Sequence, residues 1–162
     1  MFKLSFLSLL LVSSFASAEE ARRANAHVHG LNNLSMVISQ NQVAISYEMP
    51  IVQLFDEHDE LTISDETLAT FNNYLQLFAL PEGARCNLTS FESGLHSVST
   101  EGDHKDVELS YEFACSNPGQ LKSVTINAFA HFRELGTINF EAVINNKALT
   151  KSLKSDVNKV IF

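Results

Sequence analysis

The sequence predicts an α+β domain built mainly on an antiparallel sheet, with one amphipathic helix and one intradomain disulfide. Three observations carry that prediction. Apolar residues alternate strictly over several short runs, a single segment has helical period, and nothing in the order of segments repeats as strand, helix, strand. The chain has 162 residues, enough for one domain with a proper core.

The first eighteen residues are set apart from that domain. MFKLSFLSLLLVSSFASA places Lys3 ahead of an apolar and hydroxyl stretch from Leu4 to Phe15, then Ala16-Ser17-Ala18. This order of cation, apolar run and small residues is that of a secretory signal peptide cleaved after Ala18. The apolar run is short for a bilayer span, and Glu19, Glu20, Arg22 and Arg23 follow at once. The expectation is a signal at residues 1–18 and a single domain at 19–162, without membrane insertion after cleavage.

Cleavage removes Lys3 and leaves 19 acidic residues against ten basic ones, a formal charge of −9. Such a domain repels phosphate backbones, which excludes a nucleic-acid partner and favours a cationic one. Hydrophobic residues make up 45% of the chain, too many for disorder.

Element by element, Leu34, Met36 and Ile38 alternate in NLSMVIS, and Val43, Ile45, Tyr47 and Met49 in VAISYEM. With polar Gln40-Asn41-Gln42 between them, the two runs read as a β-hairpin that Pro50 ends. Leu68, Phe71, Leu75 and Phe78 then recur at helical spacing, Ser64 is a suitable N-cap, and Asp65 and Glu66 suit the positive end of the dipole. A helix of about fifteen residues is expected there, stopped by Pro81 and Gly83.

Strands resume with Cys86, Leu88 and Ser90. A polar loop follows over Gly94 to Asp106, and Val107, Leu109, Tyr111, Phe113 and Cys115 then alternate cleanly. Beyond Asn117-Pro118-Gly119 the sequence reads as a strand in SVTINAF, a short helical piece around HFREL, a strand in TINFEAVI, a turn at Asn145-Asn146 and a last strand near Asn158 to Phe162.

Cys86 and Cys115 are the two cysteines. In an exported chain they most simply pair, and the loop they close is worth about 3 to 4 kcal/mol if the bridge acts through chain entropy alone. The rival use as thiolate ligands lacks the close pairs of structural zinc sites.

Six histidines are more than packing needs, and several stand beside carboxylates. His27 and His29 form HVHG before the first strand, where an extended backbone puts both rings on one face. His58 sits inside DEHDE, residues 56–60, among four acids that favour added positive charge. His104 and Asp106 belong to GDHKD at the start of the second cysteine strand. Imidazole nitrogen and carboxylate oxygen in sets of three or four suit Zn²⁺. The plainer reading of each cluster is a solvated turn or surface histidine, while His96 and His131 lack acidic neighbours. No G-x-S-x-G elbow, Walker loop or GxGxxG is present, so no enzyme activity is expected. The sequons at Asn33 and Asn87 are read as coincidence.

AHVHGLNNLSMVI, LFDEH, the helix exit LFALPEGARC and DHKDVELSYEFAC together resemble the ZrgA family of periplasmic zinc-binding proteins of Gram-negative bacteria, over roughly Ala26 to Phe162. The resemblance implies a periplasmic protein that captures zinc and supports its uptake with components of an inner-membrane importer. It implies His27, His29, His58, His104 and Asp106 as metal positions, and it matches Cys86 and Cys115 to the family's cysteines. One departure matters. The family's long His- and acid-rich insertion before HxD is reduced here to HSVSTEGDHKD, so one compact zinc site is expected in place of a loop that collects several ions. The competing expectation is a non-metal interaction module that docks an envelope partner through its acidic face.

Overall fold

The computed structural model describes residues 31–54, 63–97, 106–132 and 134–162. The expected signal peptide lies outside the described residues. Among these residues no helix is long and apolar enough to cross a membrane.

The first alternating runs form β1 (Asn32–Ser39) and β2 (Gln42–Pro50), antiparallel, with Leu34 opposite Tyr47 and Ile38 opposite Val43. The connection at Gln40-Asn41 puts Gln40 at φ 56°, the left-handed conformation that tight hairpins require. Pro50 closes β2 as expected, and a 3₁₀ turn follows over Ile51–Leu54.

The helix is half the expected length. α1 (Asp65–Asn72) is capped by Ser64, whose Oγ accepts from the Thr67 amide at 3.1 Å. It stops at Asn73, whose amide N–H turns back to the carbonyls of Ala69 and Thr70. Leu75, which the spacing places on the helix's buried face, is 54% exposed, whereas the consecutive Leu77 and Phe78 are both fully buried. Phe78 is buried as a residue of the two-residue strand β3 (Phe78–Ala79) and not as a helical one.

β4 (Cys86–Ser93) and β5 (Asp106–Cys115) form the expected cysteine strands, with a bulge between Leu88 and Ser90. The loop between them opens with a 3₁₀ turn at Gly94–Ser97. SVTINAF gives the shorter β6 (Ser123–Ile126). The helical piece expected around HFREL is a 3₁₀ turn one step earlier, Ala128–Ala130. β7 (Ile138–Ile144) then turns through Asn145 and Asn146, both at positive φ, into a strand that the sequence pattern does not announce, β8 (Lys147–Leu153). β9 (Lys159–Ile161) is the last strand.

Among the described residues six strands form one sheet in the order β4-β5-β2-β1-β7-β8, and β3-β6-β9 form a second. Pairing among them is antiparallel except between β1 and β7, which run parallel. On the large sheet every second residue is buried: Leu34, Met36, Ile45, Tyr47, Leu109, Tyr111, Phe113 and Phe140 point inward. α1 and the small sheet cover that face. Phe78 meets Tyr111 edge-on at 5.3 Å, and Phe71 lies 5.8 Å from Phe132. The opposite face carries Ser46, Glu48, Glu108 and Glu112.

β8 is an edge strand among the described residues. By register Lys147 and Lys151 share a face with Leu149 and Leu153, and both lysines are exposed; charged side chains on an edge strand discourage pairing with another chain.

Candidate metal centre

The large sheet has two ends of different chemistry. At one end β4 and β5 are joined by the Cys86–Cys115 disulfide, and the two cysteines are register partners. Both thiols are therefore engaged, and the thiolate-ligand alternative falls. Asp106 begins β5 and Cys115 ends it, so the bridge stands about 30 Å from the opposite end at about 3.3 Å per strand residue.

At that opposite end three neighbouring strands present their termini together. β1 begins at Asn32, β2 finishes at Pro50, and β5 begins at Asp106, whose register partner is Pro50. Asp106 is half-buried. His27, His29, His58 and His104 lie outside the described residues, as do the other residues of DEHDE. What the fold fixes is where their segments are attached: before β1, after β2 and before β5. His96 belongs to the 3₁₀ turn that leaves β4 at this same end, and His131, exposed, follows the turn after β6. Among the described residues no group of three or more histidine, cysteine or acidic side chains is arranged to hold a metal ion.

The outer face near these termini is a row of polar side chains held by one another. Asn139 Nδ2 donates to Asn33 Oδ1 at 3.2 Å, and Asn33 Nδ2 donates to Glu48 Oε2 at 3.1 Å. Glu108, directly opposite Glu48 across β2 and β5, accepts from the Ser46 hydroxyl at 2.8 Å. Two carboxylates facing one another across a ladder repel, so this end carries a concentrated negative field that draws cations.

The inner face at the same end holds a feature that alternation hides. Asn32 Oδ1 and Tyr47 Oη are buried atoms that find no hydrogen-bond partner. Tyr47 is fully buried and Asn32 is 6% exposed. Burial pushes the Tyr47 phenol well above its ordinary range, so it remains a neutral O–H donor. By sequence pattern Tyr47 is one more apolar strand residue and Asn32 part of a polar lead. Only register and burial distinguish them from ordinary members of the hairpin.

The model for a family described as ZrgA family zinc uptake protein matches residues 26–162. No curated protein matches the chain.

Proposed function

From the premise that the chain belongs to the ZrgA family of zinc uptake proteins, we propose that it captures one zinc ion at the β1, β2 and β5 end of the large sheet. It then passes the ion to an inner-membrane importer without covalent chemistry.

One observation carries this reading: the segments bearing His27 and His29, His58, and His104 are attached to three adjacent strands at one end of one sheet. Adjacent strands lie about 4.8 Å apart, so β1 and β5 stand about 10 Å apart across β2. His29 is three residues before Asn32 and His104 two before Asp106, while His58 is eight beyond Pro50. At about 3.3 to 3.6 Å of reach per residue, each can meet a common point above the end of β2. Zinc bound by imidazole nitrogen and carboxylate oxygen needs ligands about 2 Å from the ion. Glu48, Glu108 and Asp106 lower the energy of an approaching cation without having to bind it. The disulfide fits an oxidising compartment, which supports export by residues 1–18 into the periplasm.

The test is isothermal titration of the mature protein, residues 19–162, with Zn²⁺, beside the variant H27A/H29A. Saturable binding near one ion per chain, lost or weakened in the variant, is expected. Absence of saturable binding in the native protein defeats the reading and favours a docking module that works through the acidic outer face.

A further inference from the structure

At the end where β1 and β7 finish, an open cleft of about 320 Å³ separates the large sheet from the segment that joins β5 to β6. Ile38 and Ile144, register partners in the parallel pair, form its sheet side, and Leu121 faces them from the joining segment. This is the disulfide end of the sheet. Ile38 stands six residues beyond Asn32 along β1, about 20 Å from the end to which the histidine segments are attached.

The lining sorts by burial. Ile38 and Leu121 are buried and Ile144 is half-buried, so the floor is aliphatic; Gln40, Lys122 and Asn145 are exposed, so the rim is polar. Gln40 and Asn145 belong to the turns that follow β1 and β7, both at positive φ, and parallel pairing sets the two turns side by side. Lys122 is the one charged side chain of the lining, in a chain whose net charge is −8. The joining segment is held from within: the Leu121 amide donates to the Pro118 carbonyl at 3.1 Å, and the Phe162 amide donates to the Lys122 carbonyl at 3.0 Å.

Protein interiors pack to the density of organic crystals, and apolar surface left in water costs about 25 cal/mol per Å². An aliphatic floor under an open cleft is therefore a place where an apolar body gains by entering. The volume falls at the small end of the range of about 300–1,000 Å³ for ligand sites. At the rim an ammonium and two carboxamides offer N–H donors together. That set answers a carboxylate, and a cationic ligand meets Lys122 with no acidic side chain in the lining to offset it.

We propose that this cleft is a binding site for a small organic anion with an apolar body, of the class of medium-chain monocarboxylates. The carbon chain lies on Ile38, Leu121 and Ile144, and the carboxylate meets Lys122 with the amides of Gln40 and Asn145 beside it. The site is independent of the zinc reading, which concerns the other end of the sheet.

The experiment titrates ¹⁵N-labelled mature protein with hexanoate, octanoate and decanoate below their micellar concentrations and follows amide shifts by NMR. Expected are saturable shifts confined to the backbone around Gln40, Gly119, Lys122 and Asn145, with affinity rising up to about fourfold for each methylene that the floor covers. Lys122→Gln should weaken octanoate about two- to fivefold, as for an exposed charge. Gly119→Leu plugs the cleft: Gly119 lines it, and a Cβ there meets no atom within 4 Å. That variant should keep a near-native thermal midpoint and lose binding. Shifts that grow without saturating, octanoate affinity unchanged in Lys122→Gln, or octylamine bound as tightly as octanoate would overturn the inference. So would native octanoate binding in a folded Gly119→Leu variant.

Discussion

The hydroxyl of Tyr111, in the middle of β5, donates a 2.8 Å hydrogen bond to the carbonyl oxygen of Phe71 near the end of α1. That carbonyl is among those a helix leaves unpaired at its C-terminus, so the contact both satisfies it and fixes the helix over the sheet. Tyr111→Phe keeps the stacking with Phe91 and removes only the hydroxyl. Urea unfolding should show a loss of about 1–3 kcal/mol. An unchanged midpoint would mean that water reaches the Phe71 carbonyl.

The Cys86–Cys115 bridge joins register partners 29 residues apart in sequence. Replacing both cysteines with alanine should lower stability by about 3–4 kcal/mol on the chain-entropy account. Zinc affinity should not change, because the bridge stands at the far end of β5 from Asp106. A coupled fall in affinity would show that the sheet transmits disorder along its whole length.

Burial raises the pKa of both Tyr47 and Tyr111 in the folded protein. In the unfolded chain these phenols ionise near pH 10, so above that pH the unfolded state holds fewer protons and gains relative to the native one. The stability they contribute is complete below about pH 10 and is lost as pH rises toward the folded values, at about 1.4 kcal/mol per unit for each phenol. Unfolding midpoints at pH 8, 10 and 11 should fall mainly across the last interval. Tyr47→Phe should make that fall shallower.

Strict alternation makes β1, β2 and β5 legible, because each buries one face and a period of two has no other explanation. β8 is not legible: KALTKSL lies at an edge, buries only Leu153 fully and carries exposed lysines on the face of Leu149 and Leu153, so no apolar alternation marks it. Spacing overextends the helix because Leu75 and Phe78 continue the period by coincidence after Asn72-Asn73 has ended it. At the candidate site the sequence shows which residues have the chemistry, and not that their segments join the same end of adjacent strands. Parallel pairing of β1 with β7 and the Pro50–Asp106 register are long-range facts that no local pattern encodes.

Glu48 and Glu108 face one another on the outer side of the sheet. Glu108→Gln removes one charge, keeps an oxygen for the Ser46 hydroxyl, and should stabilise the apo protein by about 0.2–0.5 kcal/mol at low salt. The gain should shrink in 1 M salt, where the screening length falls to about 3 Å. The same variant should slow Zn²⁺ association in stopped-flow measurements more than it speeds release, since a field without direct ligation acts on encounter. Faster release as the main effect would instead make Glu108 a ligand.

Zinc requires neutral imidazole, and an unperturbed histidine takes up its proton near pH 6.5. Above that pH the ligands are already deprotonated and affinity should be level. Below it each histidine on the ion must release a proton, so affinity should fall about tenfold per pH unit for every histidine ligand. The limiting slope of log affinity against pH, measured about one to two units below that value, therefore counts them. A slope of two or three would match a set drawn from His27, His29, His58 and His104, and each His→Ala variant within the set should lower the slope by one. A slope of one would point to a site made mainly of carboxylates, with Asp106 and its acidic neighbours in place of the histidines.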